Sequence, residues 1–105
     1  MSERIANPLR GEASLMIAGT AHVLRPTFAA LVAAESELGP LCALVERAAA
    51  GELRLTEIAS LFWHCLDRNE PPSREAVGEA IVAAGLAACA VPLRAVLSQI
   101  LKGAT

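Results

Sequence analysis

Between Arg10 and Leu31 the chain reads RGEASLMIAGTAHVLRPTFAAL, and its hydrophobic period changes partway along. The first half alternates as a strand does. Ala13, Leu15 and Ile17 share one face, because successive side chains point to opposite sides. Ala18-Gly19 fits a two-residue turn, with glycine favoured where φ must be positive. That register sets Ile17 opposite Thr20, Leu15 opposite His22 and Ala13 opposite Leu24, and a slip of one residue would turn the whole apolar set outward. The other face carries Ser14, Met16, Ala21 and Val23, which is uncharged for a surface. A lone hairpin is marginal in water, so one face must pack on the rest of the chain. The second face and the open strand edges then form a contact surface, or the hairpin is simply folded over the core.

Beyond Pro26, which cannot donate to a ladder, the spacing turns helical. Thr27 is a good N-cap, and Phe28, Leu31, Val32, Glu35 and Leu38 form a stripe ending at Gly39-Pro40. A second helix starts at Pro40, buries Leu41, Leu44, Val45 and Ala48, and ends at Gly51. Thr56 caps a third, with Ile58, Leu61, Phe62, Cys65 and Leu66 on its stripe. Asp67 to Pro72 is polar and closes on two prolines, the clearest loop signal in the chain. Ser73 caps a fourth helix carrying Val77, Ala80, Ile81 and Ala84, stopped by Gly85. The last segment, Leu86 to Lys102, aligns Leu93, Val96, Leu97, Ile100 and Leu101. Pro92 lies inside it, so this helix either bends there or begins near Val91. The pattern therefore predicts an α+β fold, mostly α, with an N-terminal β-hairpin followed by four to five packed helices. Residues 1–105 form one domain: 1–9 a flexible arm, 11–25 the hairpin, 27–102 the helical part.

Composition sharpens this picture. Hydrophobic residues make up 54% of the 105, but aromatics only 3%. The core must therefore be Leu, Val and Ile, with alanines supplying helix propensity more than volume. Small side chains let helices approach closely and leave a domain of modest stability, which a partner or a second copy would support. Apolar runs fall short of the ~20 residues of a membrane span. The N-terminus, Met-Ser-Glu-Arg, lacks the apolar stretch of a signal peptide, so a cytoplasmic location is expected.

Candidate chemistry is thin. Cys42, Cys65 and Cys89 are far apart and lack zinc-type spacing. His64 and Cys65 are neighbours, but adjacent helical residues diverge by about 100°, which suits neither a nucleophile nor its base. Glu35 and Glu37, two apart on a helix, do not share a face. No catalytic residue, metal site, cofactor or small-molecule substrate is expected. Nine Lys and Arg against eleven Asp and Glu leave a charge of −2 with no basic stripe for phosphates. Arg4, Arg10 and Arg25 could cluster at the hairpin base, but as solvated or carboxylate-paired side chains. A helix-turn-helix over Leu41 to Leu66 would have a recognition helix, Glu57 to Leu66, without arginine. Trp63, the single tryptophan, is either a second-layer core residue or an anchor for a partner.

Asn7-Pro8-Leu9-Arg10-Gly11-Glu12, the Ala18-Gly19 turn, Val23-Leu24-Arg25-Pro26-Thr27-Phe28 with Ala30-Leu31, and Glu37-Leu38-Gly39 resemble the small tail proteins of gene transfer agents. These are phage-derived particles encoded in alphaproteobacterial chromosomes. Their family is grouped with phage tail assembly chaperones and also labelled a tail tube protein. The similarity runs over roughly residues 5 to 100. Its most specific element, Leu-Arg-Pro-Thr-Phe after a Gly-centred hairpin, is a structural junction; the cysteines, His22 and Pro92 are not required by it. The resemblance implies a non-enzymatic tail-morphogenesis protein like the chaperones that hold the tape-measure chain. The alternative is a structural subunit of the tail, its hairpin pairing with neighbours; a small regulatory or DNA-binding protein ranks below both. Expected partners are tape-measure or tube subunits, or a second copy, and the expected location is the bacterial cytoplasm or a phage-like particle. Nucleic acid and membrane are not expected partners. Expected contact residues are Met16, Ala21, Val23 and Trp63.

Overall fold

The computed structural model describes residues 13–66 and 71–102. The expected N-terminal arm, Arg4, Arg10 and the first part of the Asp67–Pro72 loop lie outside the described residues.

Strands β1 (Ala13–Ile17) and β2 (Thr20–Leu24) pair antiparallel, with Ala13 facing Leu24, Leu15 facing His22 and Ile17 facing Thr20. This is the register that the alternation predicts. Both turn residues have positive φ, 52° at Ala18 and 82° at Gly19, which matches the right-handed twist of the strands. At the hairpin base, Leu24 bridges Leu66 and the Arg25 N–H donates to the Cys65 carbonyl at 2.7 Å. That link fastens the hairpin to the end of a distant helix.

Five helices follow: α1 (Phe28–Leu38), α2 (Leu41–Ala49), α3 (Leu55–Cys65), α4 (Arg74–Ala84) and α5 (Leu86–Lys102). Thr27 and Ser73 cap α1 and α4 as expected, each side-chain oxygen accepting from the N–H three residues on at 3.1 Å. Gly39, at φ 91°, ends α1, and α2 leaves at 77° to it. The start of α3 differs from expectation. Arg54, not Thr56, is its N-cap, because the Glu57 carboxylate accepts from the Arg54 N–H at 2.9 Å and also pairs with Arg47. A cap at Thr56 would need its reciprocal acid at position 59, two residues beyond Glu57. Arg47 beside it, with the Arg54 N–H, lowers the Glu57 pKa.

In α5 the helix begins at Leu86 and continues through Pro92, so a start near Val91 is ruled out. The Cys89 N–H donates to the Gly85 carbonyl at 3.3 Å, closing the first turn before the proline arrives.

The core lies between the inner hairpin face, α3, α4 and α5, with Ala30 and Ala34 of α1 and Leu44 of α2 closing its sides. Leu15, Ile17, Leu24, Leu44, Leu61, Phe62, Leu66, Val77, Ile81 and Val96 are its fully or nearly fully buried large side chains. α3 is the central helix, and residues 59–65 are buried apart from half-buried Trp63. In α1 the expected stripe is out of phase. Ala30 and Ala34 are buried, while Phe28 is 85% exposed and Val32 45%. An alanine face lets α1 sit close against α3, and that contact pushes the larger side chains outward.

Candidate functional site

Three regions could serve a function: the hairpin tip, a polar cluster joining α1, α3 and α4, and a groove between α2 and α5.

In a hairpin closed by a two-residue turn, the pairs Ile17–Thr20, Leu15–His22 and Ala13–Leu24 exchange the ladder hydrogen bonds. The backbone groups of Ser14, Met16 and Ala21 then face away from the partner strand. From Ala13 to Leu24 there is no charged residue and no proline, so the usual protections of a strand edge are missing. Met16 is 58% exposed, and Ala21 and Thr20 are exposed. Val23 does not belong with them. It shares one side of the sheet with Met16 and Ala21 but is only 4% exposed, and it sits beside Leu24 and Arg25, where the base is tied to α3. The accessible part of the expected hairpin surface is its tip.

Trp63 packs against the core from the second layer. Its indole N–H donates to the Pro72 carbonyl at 3.0 Å, and the Arg74 guanidinium lies over its ring, 4.3 Å from the centroid. His64 meets it edge-on at 5.1 Å. Both polar and π-face capacities of Trp63 are thus taken up within the chain, which leaves little of it to anchor a partner. The same cluster contains Glu37. One carboxylate oxygen is 2.8 Å from His64 Nε2, and the other accepts from Arg74 at 2.5 Å. Arg74 first, then His64, hold the Glu37 carboxyl down at about 2. Sequence spacing gave no sign of this cluster, since Glu37, His64 and Arg74 are brought together only by the packing of three helices.

His64 and Cys65 do not form a reactive pair. His64 Nε2 is engaged with Glu37, and burial pushes the Cys65 thiol up to about 12, so it stays a thiol. A hollow of about 230 Å³ beside them, between the start of α1 and the end of α3, is lined by Arg25, Thr27, Ala30, His64, Cys65 and Leu66. Among the described residues no three His, Cys, Asp or Glu side chains converge as metal ligands. No single helix among them is long and apolar enough to cross a membrane.

The groove between α2 and α5, about 340 Å³, is lined chiefly by Val45, Ala48, Leu93, Leu97 and Leu101, with Arg94 on its wall. The sequence predicts Leu93, Leu97 and Leu101 as core. In the structure Leu93 and Leu97 are half-buried and Leu101 is 63% exposed, because α2 and α5 do not close on one another.

Comparison with known proteins agrees with the resemblance seen in the sequence. The sequence profile of the family described as "Phage tail tube protein, GTA-gp10" matches residues 10–103. No curated protein and no solved structure matches. The chain belongs to this gene transfer agent tail family.

Proposed function

We propose that this member of the gene transfer agent tail family is a structural subunit of a phage-like tail, a non-enzymatic protein that acts by binding other tail polypeptides and is built into the particle. The family's description supports a structural role. The feature of the molecule that carries the reading is the hairpin tip, a stretch without charge or proline where Met16 and Ala21 are exposed and their outward backbone groups have no strand partner. Backbone pairing with a neighbour would satisfy the outward N–H and C=O groups, and Met16 would add apolar contact. Neither a cofactor nor a small-molecule substrate enters this function.

One observation favours a second reading, a tail assembly chaperone that holds the tape-measure chain. The two strands and five helices of the described residues give little sheet for a polymerising tube. Quantitative mass spectrometry of purified particles separates the two. A tail subunit is found in many copies per particle; an absent or trace chain overturns the structural reading in favour of the chaperone. Met16→Glu together with Ala21→Glu should stop particle assembly without unfolding the domain, since both positions are exposed. Unimpaired assembly would remove the hairpin tip from the contact surface.

A further inference from the structure

α1 and α5 carry two surfaces that complement each other. On α1, Phe28, Val32 and Glu35 follow at spacings of four and three, so they share one face. Phe28 is the most exposed large hydrophobic residue described, Val32 is also exposed, and Glu35 lies beyond them on the same side. This face touches no other element closely enough to bury it. On α5, Leu101, Leu97 and Arg94 descend at the same two spacings, in the opposite chain direction, along the groove shared with α2. Arg94 makes no ion pair or hydrogen bond among the described residues, so the groove presents a cation with no internal counter-charge.

We propose that copies of this chain associate head to tail, with α1 of one copy lying antiparallel in the α2–α5 groove of the next. Phe28 then meets Leu101, Val32 meets Leu97 and Glu35 meets Arg94. The spacing closes without adjustment, because Phe28 to Glu35 and Leu101 to Arg94 are each seven residues, about 10 Å of helix. The groove encloses about 340 Å³, and the single charge on each surface is opposite to its partner. Antiparallel neighbours also align their helix dipoles favourably. A second copy is the occupant because the chain itself supplies a matching ridge: two apolar side chains and one acid in the right order. The two surfaces are different, so the interface is heterologous. Such contacts close into rings or continue as filaments, the geometry a tail subunit needs. The inference rests on the structural-subunit reading for its biological meaning.

The test is sedimentation velocity of the full chain over about a hundredfold range of concentration. The wild type should self-associate in a concentration-dependent way. Arg94→Glu, which sets an acid against Glu35, should weaken association at least about tenfold, and Glu35→Lys combined with Arg94→Glu should recover most of the loss. Phe28→Ser should weaken it similarly while leaving thermal unfolding of the monomer unchanged, because Phe28 contributes little to the core. Glu35 also accepts the Leu41 N–H at 3.1 Å, so Glu35→Gln, which keeps an acceptor there, separates the interfacial charge from that local cap. Its loss of association should be clear but smaller than that of Arg94→Glu. A wild type that stays monomeric throughout overturns the proposal. So do folded Arg94→Glu and Phe28→Ser variants that associate normally, and a charge swap that recovers nothing. Particle mass spectrometry fails independently: many copies per particle with no charge-swap recovery would retire this interface and leave the subunit reading standing.

Discussion

Replacing Glu37 by glutamine tests whether the three-helix cluster contributes stability or merely decorates the surface. Glu37 comes from the last turn of α1, His64 from α3 and Arg74 from the first residue of α4, so their contacts add a polar link between helices that also pack on one another. The carboxyl falls from its ordinary 4.5 to about 2, chiefly through Arg74 and then His64. At 1.36 kcal/mol per pH unit that would be about 3 kcal/mol. Glu37 is 35% exposed and Arg74 44%, so water and salt screen the pair, and about 1 kcal/mol is the better expectation. The sign follows from linkage: a carboxyl depressed in the folded state stabilises fully above 4.5, and its contribution is lost as pH falls through about 2. Urea denaturation at pH 7, 5, 3 and 2 should therefore show Glu37→Gln less stable than wild type by about 1 kcal/mol at the upper two values, with the gap closing below. A gap of the same size at pH 2 would mean that the loss is steric. No gap at pH 7 would mean that the cluster is solvated and energetically neutral. An Arg74→Gln cycle distinguishes the partners, and a coupling energy near zero would remove Arg74 from the explanation.

Two further outcomes follow from the fold. Ala18 is a non-glycine residue at φ 52° in the hairpin turn, so Ala18→Asn or Ala18→Gly should raise stability by about 0.5–1 kcal/mol in denaturant titration; a destabilised variant would show that the turn is not of the primed type. Cys42 is exposed, whereas Cys65 and Cys89 are buried and burial raises both thiols. A thiol reagent at pH 8 should therefore modify one cysteine quickly and the other two only on unfolding, and mass spectrometry of the product should place the fast label on Cys42.

Local signals fixed by backbone chemistry were legible in the sequence. The hairpin register follows from side-chain alternation and a glycine in the turn, and Thr27 and Ser73 announce their helices because their oxygens serve the N–H three residues on. Pro40 and Gly85 mark helix boundaries through the lost donor and the positive φ. What failed was the choice between competing faces. On α1 Phe28 with Val32 and Ala30 with Ala34 form two stripes about half a turn apart, and the distance of approach to α3 decides which is buried. Residue size argued for Phe28 and Val32, but close packing selected Ala30 and Ala34. Val23 failed for a related reason: alternation gives the side of the sheet, not how far along the hairpin the cover extends. The Glu37–His64–Arg74 cluster was invisible because its members lie 27 and 37 residues from Glu37 in sequence, beyond any local periodicity. The α2–α5 groove was hidden in the opposite sense, since its leucines read as ordinary core.

The misassigned stripe on α1 and the open groove on α5 have one physical origin. A core closed largely by Ala30, Ala34, Ala59, Leu, Val and a single phenylalanine needs its helices close together, and it has no room for the remaining bulk. Phe28, Val32, Val82, Leu86, Val91 and Leu101 are left outside. Single exposed apolar residues are ordinary on protein surfaces. These are not scattered singly: Phe28 and Val32 are one helical turn apart, and Val82 and Leu86 flank the Gly85 corner. At about 25 cal/mol per Å² of apolar surface removed from water, covering Phe28 and its groove together would return free energy that the isolated fold forgoes. The sequence holds these residues in helices that would fold as well with polar ones at the same positions. Their presence is accounted for if the folding unit is completed by neighbouring polypeptides, and the match between the α1 ridge and the α5 groove makes another copy of this chain the neighbour that the geometry favours.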